Sequence, residues 1–287
     1  MKAAFWLAPL LLVAGVLVAF APQARKAYRA DQGLAQRLAA IQPAQLSPVG
    51  PCGSDLAPRP LVLLVLGQSN AGNHGPVVAT PIQGIPQQVT VFVGDGCQTA
   101  ADPLPGATGQ GASIWSRLPN RLKELGLQRP VVLAVLAVDA SSIAEWTDSS
   151  SVLKVRLDTL LGQLRQAGLS PDAVLWQQGE SDALRGTSTA AYAEALAQLR
   201  GRLRAAGVAG PLVLARSTSC QGADGRRVRA AMAQVAAQQP DVHLGPDTDL
   251  LVGEHRHGEC HFSNRGLDAA ALMWAQSIAS LKVEGAP

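Results

Sequence analysis

Strand-length runs of continuous apolar residues recur along the chain at Leu61–Leu66, Val89–Val93, Val131–Val138, Ala173–Trp176 and Leu212–Ala215. Longer stretches of helical periodicity lie between or after them, at Ile114–Leu125, Val152–Gln166, Ala190–Ala206, Arg226–Gln238 and Ser263–Leu281. A strand that is apolar at every position is covered on both faces, and strands separated by crossover helices pair in parallel. The pattern therefore predicts an α/β fold: a doubly wound, flavodoxin-like parallel sheet with helices on both faces, in three α/β/α layers. In such a sheet ligands collect at the carboxyl ends of the strands.

The chain has 287 residues, of which 47% are hydrophobic and 16% charged. That suffices for one core of roughly 200 residues or more, so a single domain over residues 61–287 is expected. The formal net charge is only +3. The basic residues are scattered, with no stripe of Lys and Arg interleaved with aromatics, so nucleic acid is not an expected partner.

The amino terminus reads differently. Ala3–Ala21 is an apolar run broken only by Pro9 and preceded by Lys2, long enough to cross a bilayer as one helix. Ala19 and Ala21 also have the small-x-small spacing of a processing site, but Pro22 follows directly and is a poor substrate for cleavage. Residues 1–23 are therefore expected to anchor the chain in the inner membrane, with a cleaved signal segment as the alternative. Arg25, Lys26 and Arg29 would by themselves hold their side cytoplasmic. The cysteines argue for export. Cys52, Cys97, Cys220 and Cys260 form an even set without the C-x-x-C spacing of a zinc or redox site, which in an exported chain reads as two disulfides. Cys52 precedes the first strand and Cys97 follows the second; Cys220 follows the fifth and Cys260 lies in a loop at the same sheet edge. The expected pairs are Cys52–Cys97 and Cys220–Cys260, on the periplasmic face of the membrane or in a secreted protein. Residues 24–60 read as a polar helix to Ile41 followed by a linker in which Pro43, Pro48, Pro51, Pro58 and Pro60 deny backbone donors.

Three segments carry chemistry. Directly after the first strand comes Gly67-Gln68-Ser69-Asn70-Ala71-Gly72, a strand-to-helix turn that exposes a serine hydroxyl beside unpaired N–H groups. The run Trp176-Gln177-Gln178-Gly179-Glu180-Ser181-Asp182 packs amides and carboxylates just past a buried strand. Near the end stands Gly258-Glu259-Cys260-His261-Phe262-Ser263-Asn264-Arg265-Gly266, which puts a histidine at the edge of the last helix. The other histidines, His74, His243, His255 and His257, have no such setting in the sequence, although His74 stands near Ser69 and is kept as a minor candidate.

Together these segments resemble the SGNH hydrolases, specifically the sialate O-acetylesterase and acetylxylan esterase branch. The resemblance spans residues 61 to about 280. It implies Ser69 as nucleophile, His261 as general base, and oxyanion donors from the Ser69 N–H, a loop after the third strand and the Gln178 amide. Gln68, Asn70, Trp146 and Glu180 are the side chains expected to meet substrate, an acetylated carbohydrate or polysaccharide. No metal or cofactor is expected.

The chain departs from the family pattern twice. Where the family has a Gly-Gly pair, this chain has Asp139-Ala140 ahead of Ser141, Ser142 and Trp146, so Ala140 inherits the loop's donor role with a restricted φ. The triad acid normally stands three residues before the histidine, where this chain has Gly258. Glu259 is the nearest carboxylate, with Asp247, Asp249 and Glu254 more remote. The expected activity is serine-esterase removal of O-acetyl groups. The alternatives are transfer of the acyl group to a sugar hydroxyl, and carbohydrate binding on a degenerate hydrolase fold.

Overall fold

The computed structural model describes residues 33–44, 52–53, 58–76 and 89–281. The apolar run Ala3–Ala21 lies outside them; among the described residues no helix is long and apolar enough to cross a membrane.

A seven-stranded sheet runs through the middle in the order β3-β2-β4-β1-β5-β6-β7. Its strands are β1 (Leu61–Gly67), β2 (Val89–Phe92), β3 (Cys97–Thr99), β4 (Val131–Ala137), β5 (Ala173–Gln177), β6 (Leu212–Arg216) and β7 (Val242–Asp247). All neighbours pair in parallel except β2 and β3. β1 and β4 are buried at every position, as continuous apolar runs require. The expected three layers are present. The strand order departs from the flavodoxin one, because β4 inserts between β1 and β2.

The helices are α1 (residues 33–39), α2 (Leu118–Glu124), α3 (Ile143–Thr147), α4 (Val152–Gln166), α5 (Glu180–Arg185), α6 (Thr189–Ala205), α7 (Arg226–Gln238) and α8 (Asn264–Ser280). Alternate residues of β1 divide between two cores. Val62, Leu64 and Leu66 pack with α1, α3, α4, α6 and α7, while Leu61, Leu63 and Val65 pack with α2 and α8.

β3 and β7 escape the sequence pattern for physical reasons. β3 is three residues long, and β7 is an edge strand that includes Gly245 and Pro246 and is partly exposed, a position that tolerates proline. The stretch read as a linker is partly integral to the domain. Leu34 is buried in the core, the Arg37 guanidinium donates to the Asp139 carbonyl at 2.8 Å, and Cys52 is bridged to Cys97 with Cα atoms 5.0 Å apart. The second bridge joins Cys220 and Cys260, Cα atoms 4.2 Å apart. Both expected pairings are present, and two such bridges fit an extracellular or periplasmic protein.

Candidate active site

The carboxyl ends of β1, β4, β5 and β6 meet at one edge of the sheet, and the residues singled out above lie along it. Gly67 closes β1, pairing with Ala137 on one side and Gln177 on the other. The chain then turns into a single 3-10 turn, Ser69–Ala71. The Ser69 Oγ has no hydrogen bond among the described residues, and its backbone N–H is likewise unused.

His261 arrives on a two-stranded hairpin, β8 (Arg256–His257) with β9 (His261–Phe262), in which His257 pairs with His261. Arg256 pins this hairpin. Its guanidinium donates to the carbonyls of Leu251 at 2.6 Å, Cys260 at 2.9 Å and Thr248 at 2.7 Å and lies 4.5 Å from the centre of the Phe262 ring. The Cys220–Cys260 bridge fastens the same loop to the end of β6. β9 packs against the Ser69 turn, and Asn70 ties the two together: its Nδ2 donates to the Cys260 carbonyl at 3.0 Å and to Glu180 Oε1 at 2.6 Å. No hydrogen bond joins Ser69 to the His261 ring in this ligand-free geometry, in which catalytic contacts are commonly long.

Several residues expected to meet substrate are framework instead. Trp146 is fully buried at 0% exposure, donating to Ser141 Oγ and packing edge-on against Trp176. Asn70 is committed as described. Gln68 accepts from the Ser181 N–H through Oε1, while its Nε2 has no partner among the described residues. Gln178, at 0% exposure, has both amide hydrogens taken. Its Nε2 donates to Asp182 Oδ2 at 2.6 Å and to the Ser141 carbonyl at 3.0 Å, while its Oε1 accepts from Tyr192. An amide so engaged has no hydrogen left for an oxyanion, so the donor role expected of Gln178 does not fit this geometry. Asp182 also accepts from the Ile143 N–H at 2.8 Å, so Gln178 and Asp182 brace the loop after β4. That loop holds Ala140, which adopts a left-handed φ of 51°. Its N–H is unused among the described residues, as an oxyanion donor's should be.

The triad acid is not where the sequence pattern points. Gly258 occupies the family's position and turns the hairpin with a φ of 64°, a conformation glycine adopts without steric cost. Glu259 is exposed and makes no hydrogen bond to His261. Asp247 is paired with Arg229 and Arg216; Asp249 accepts from Thr218, Ser219 and Arg229; Glu254 pairs with Arg265. Among the described residues, no group of three or more His, Cys, Asp or Glu side chains is placed to hold a metal.

His74, marked in the sequence only by its nearness to Ser69, joins the site. Its ring centre lies 5.0 Å from that of His261 at an interplanar angle of 30°, and its Nε2 lies 3.2 Å from the Thr108 hydroxyl. Its contact with His261 has no mark in the sequence, because that neighbour comes from the far end of the chain. Burial lowers the His261 pKa to about 4, helped by the positive charges His74, His257 and Arg256 can carry and opposed by Asp139.

Glu180 has the most unusual environment. It is 1% exposed, its Oε1 accepts from Asn70 and from Ser217 at 2.7 Å, and its Oε2 has no partner among the described residues. Burial pushes its pKa up from 4.5 to about 7, against the pull of those hydrogen bonds. The raised value means that folding favours the protonated form. Stability from this group is fully present below pH 4.5 and is lost as pH rises through about 7. Melting temperatures taken from pH 4 to pH 8 should therefore fall more steeply for the wild type than for Glu180→Gln. Parallel curves would show that Glu180 does not titrate in this range.

A parallel sheet carrying a serine turn and a histidine hairpin at its carboxyl edge is the architecture of the SGNH-type carbohydrate esterases. The chain belongs to the carbohydrate esterase, sialic acid-specific acetylesterase family, whose sequence profile matches residues 60–280. Among solved structures, a protein from Arabidopsis thaliana superposes with a TM-score of 0.64 at 21% identity, covering 77% of this chain and 99% of that one. An acetyl-xylooligosaccharide esterase from Geobacillus superposes with a TM-score of 0.50 at 13% identity, covering 78% and 97%. NanS gives 0.50 at 12% identity, covering 76% and 96%. At these identities the likeness is one of fold. No curated protein matches the chain.

Proposed function

We propose that this carbohydrate esterase removes O-acetyl groups from a carbohydrate or polysaccharide through an acyl-enzyme intermediate. The observation that carries the reading is the Ser69 hydroxyl. Among the described residues it is unpartnered at the carboxyl edge of β1, beside N–H groups that likewise have no partner there, on a turn tied through Asn70 to the hairpin that bears His261. Ser69 Oγ attacks the acetyl carbonyl while its proton passes to His261. The carbonyl electron pair moves onto the oxygen, which meets the N–H groups of Ser69 and Ala140, with the Gln68 amide as third donor in place of Gln178. Collapse expels the sugar alkoxide, which takes the proton from His261; water then repeats the sequence on the acyl-enzyme and releases acetate.

In this reading the run Ala3–Ala21 holds the domain at the periplasmic face of the inner membrane, consistent with the two disulfides. The full chain, assayed in detergent, is expected to hydrolyse p-nitrophenyl acetate and to release acetate from an acetylated xylooligosaccharide or O-acetylated sialic acid. A well-folded protein that releases no acetate from any of the three would contradict the proposal.

A further inference from the structure

The family position of the triad acid is empty of carboxylate, yet the base still has to be oriented and its cation balanced. We propose that His74 and Asp139 take over this task as positioning residues, His74 holding the His261 ring and Asp139 balancing the positive charge that His261 gains from Ser69. The inference rests on the esterase reading and deepens it.

The geometry forms a continuous chain from the end of β4 to the base. The Asp139 N–H donates to Thr108 Oγ1 at 2.9 Å. The same oxygen lies 3.2 Å from His74 Nε2, and the His74 ring lies against that of His261. Thr108 is fixed in turn, its N–H donating to the Ala137 carbonyl at 2.9 Å and its carbonyl accepting from Asn73 at 2.8 Å. His74 therefore stands in a set place five residues beyond the nucleophile, and its ring forms one wall of the space in which His261 can turn. A triad acid orients the imidazole by hydrogen bonding to it; here the orientation comes from ring packing and from the pinned hairpin.

The charge balance comes from another element. The Asp139 carboxylate has no hydrogen bond or ion pair among the described residues, so its charge is not spent elsewhere. Of the groups that bear on His261, His74 from the segment after the nucleophile turn and His257 and Arg256 from β8 disfavour its cation. Asp139, at the end of β4, favours it. Asp139 acts in the same sense on His74. A carboxylate whose charge favours the cation of two neighbouring imidazoles fits a site in which one ring must accept a proton and return it.

The two positioning residues act on His261 with opposite sign, and that makes the inference testable. In Asp139→Asn the acid limb of kcat/KM for p-nitrophenyl acetate is expected to move to lower pH, with kcat about 10- to 100-fold down, less than the ~10⁴ of a fully engaged protease acid. In His74→Phe, which keeps a ring but cannot carry charge, the limb is expected to move to higher pH. Asp139→Glu should recover part of the loss. The His261 ring titration, followed by NMR in protein labelled at histidine, should shift in the same two directions. General structural damage would move both variants the same way, and that result, or an unshifted His261 titration in Asp139→Asn, would overturn the proposal. If the wild type hydrolyses no ester, the esterase reading fails while the NMR titrations still decide this one.

Discussion

Ser69→Ala is expected to lower kcat for acetyl ester hydrolysis by roughly 10³-fold or more, and His261→Ala by a similar factor. The two residues act on one proton, so removing either disables the same step, and the double variant should be little worse than each single one. Their stabilities should separate the chemistry from the fold. Ser69 Oγ makes no hydrogen bond among the described residues, so its loss strands no partner there, and the melting temperature of Ser69→Ala should stay within about 2 °C of the wild type, as for a change of roughly 0.5 kcal/mol. His261 is half-buried against His74, and its truncation should cost somewhat more. A Ser69→Ala protein that keeps a tenth or more of wild-type kcat would remove Ser69 from the role of nucleophile. Multiplying losses in the double variant would mean that the two residues serve different steps.

The second large effect falls on the fold. A Cβ on Gly67 would sit 2.1 Å from the Gln177 carbonyl oxygen and 2.9 Å from the Ala71 Cβ. The first obstacle is backbone of the neighbouring strand, which cannot move aside without breaking the β1–β5 pairing. Gly67→Ala should therefore destabilise the domain by about 2–4 kcal/mol, lowering the melting temperature by roughly 5–15 °C in a domain of this size. Because Gly67 also aims the turn that follows, kcat should fall even below the melting point. Unchanged stability and unchanged activity together would mean that β1 does not run alongside β5 as far as Gly67. The glycine at the head of the Gly-Gln-Ser-Asn motif is thus explained by the width of the gap between β1 and β5, and not by chemistry.

What can be read from the sequence depends on whether a residue's decisive neighbours are local. β1, β4 and α4 are legible because their patterns are local: continuous burial for the strands, and a stripe of Leu153, Leu157, Leu161 and Leu164 for the helix. α3 and α5, five and six residues long, are too short for a helical period to show. At the site, Ser69 and His261 are marked by motifs, and both disulfides follow from which loops share a sheet edge. The illegible parts depend on contacts across the chain. Trp146 and Glu180 read as substrate-binding because they stand beside motif residues, but α3 turns the indole into the core against Trp176, and Glu180 is spent holding Asn70 and Ser217. Gln178 looks like a free donor because nothing in the sequence shows that Asp182, one helical turn on, and the Ser141 carbonyl claim its hydrogens. His74 and Asp139 acquire their setting only when β4 is placed beside β1.

Labelling with a fluorophosphonate ester tests the central claim most directly, since the reagent phosphonylates, with loss of fluoride, a serine whose hydroxyl is activated by a neighbouring base. Peptide mass spectrometry of the treated full chain is expected to show one adduct, on Ser69, that is lost in Ser69→Ala and strongly slowed in His261→Ala. An adduct on a different serine, or acetyl ester hydrolysis that persists unchanged while Ser69 stays unlabelled, would contradict the account.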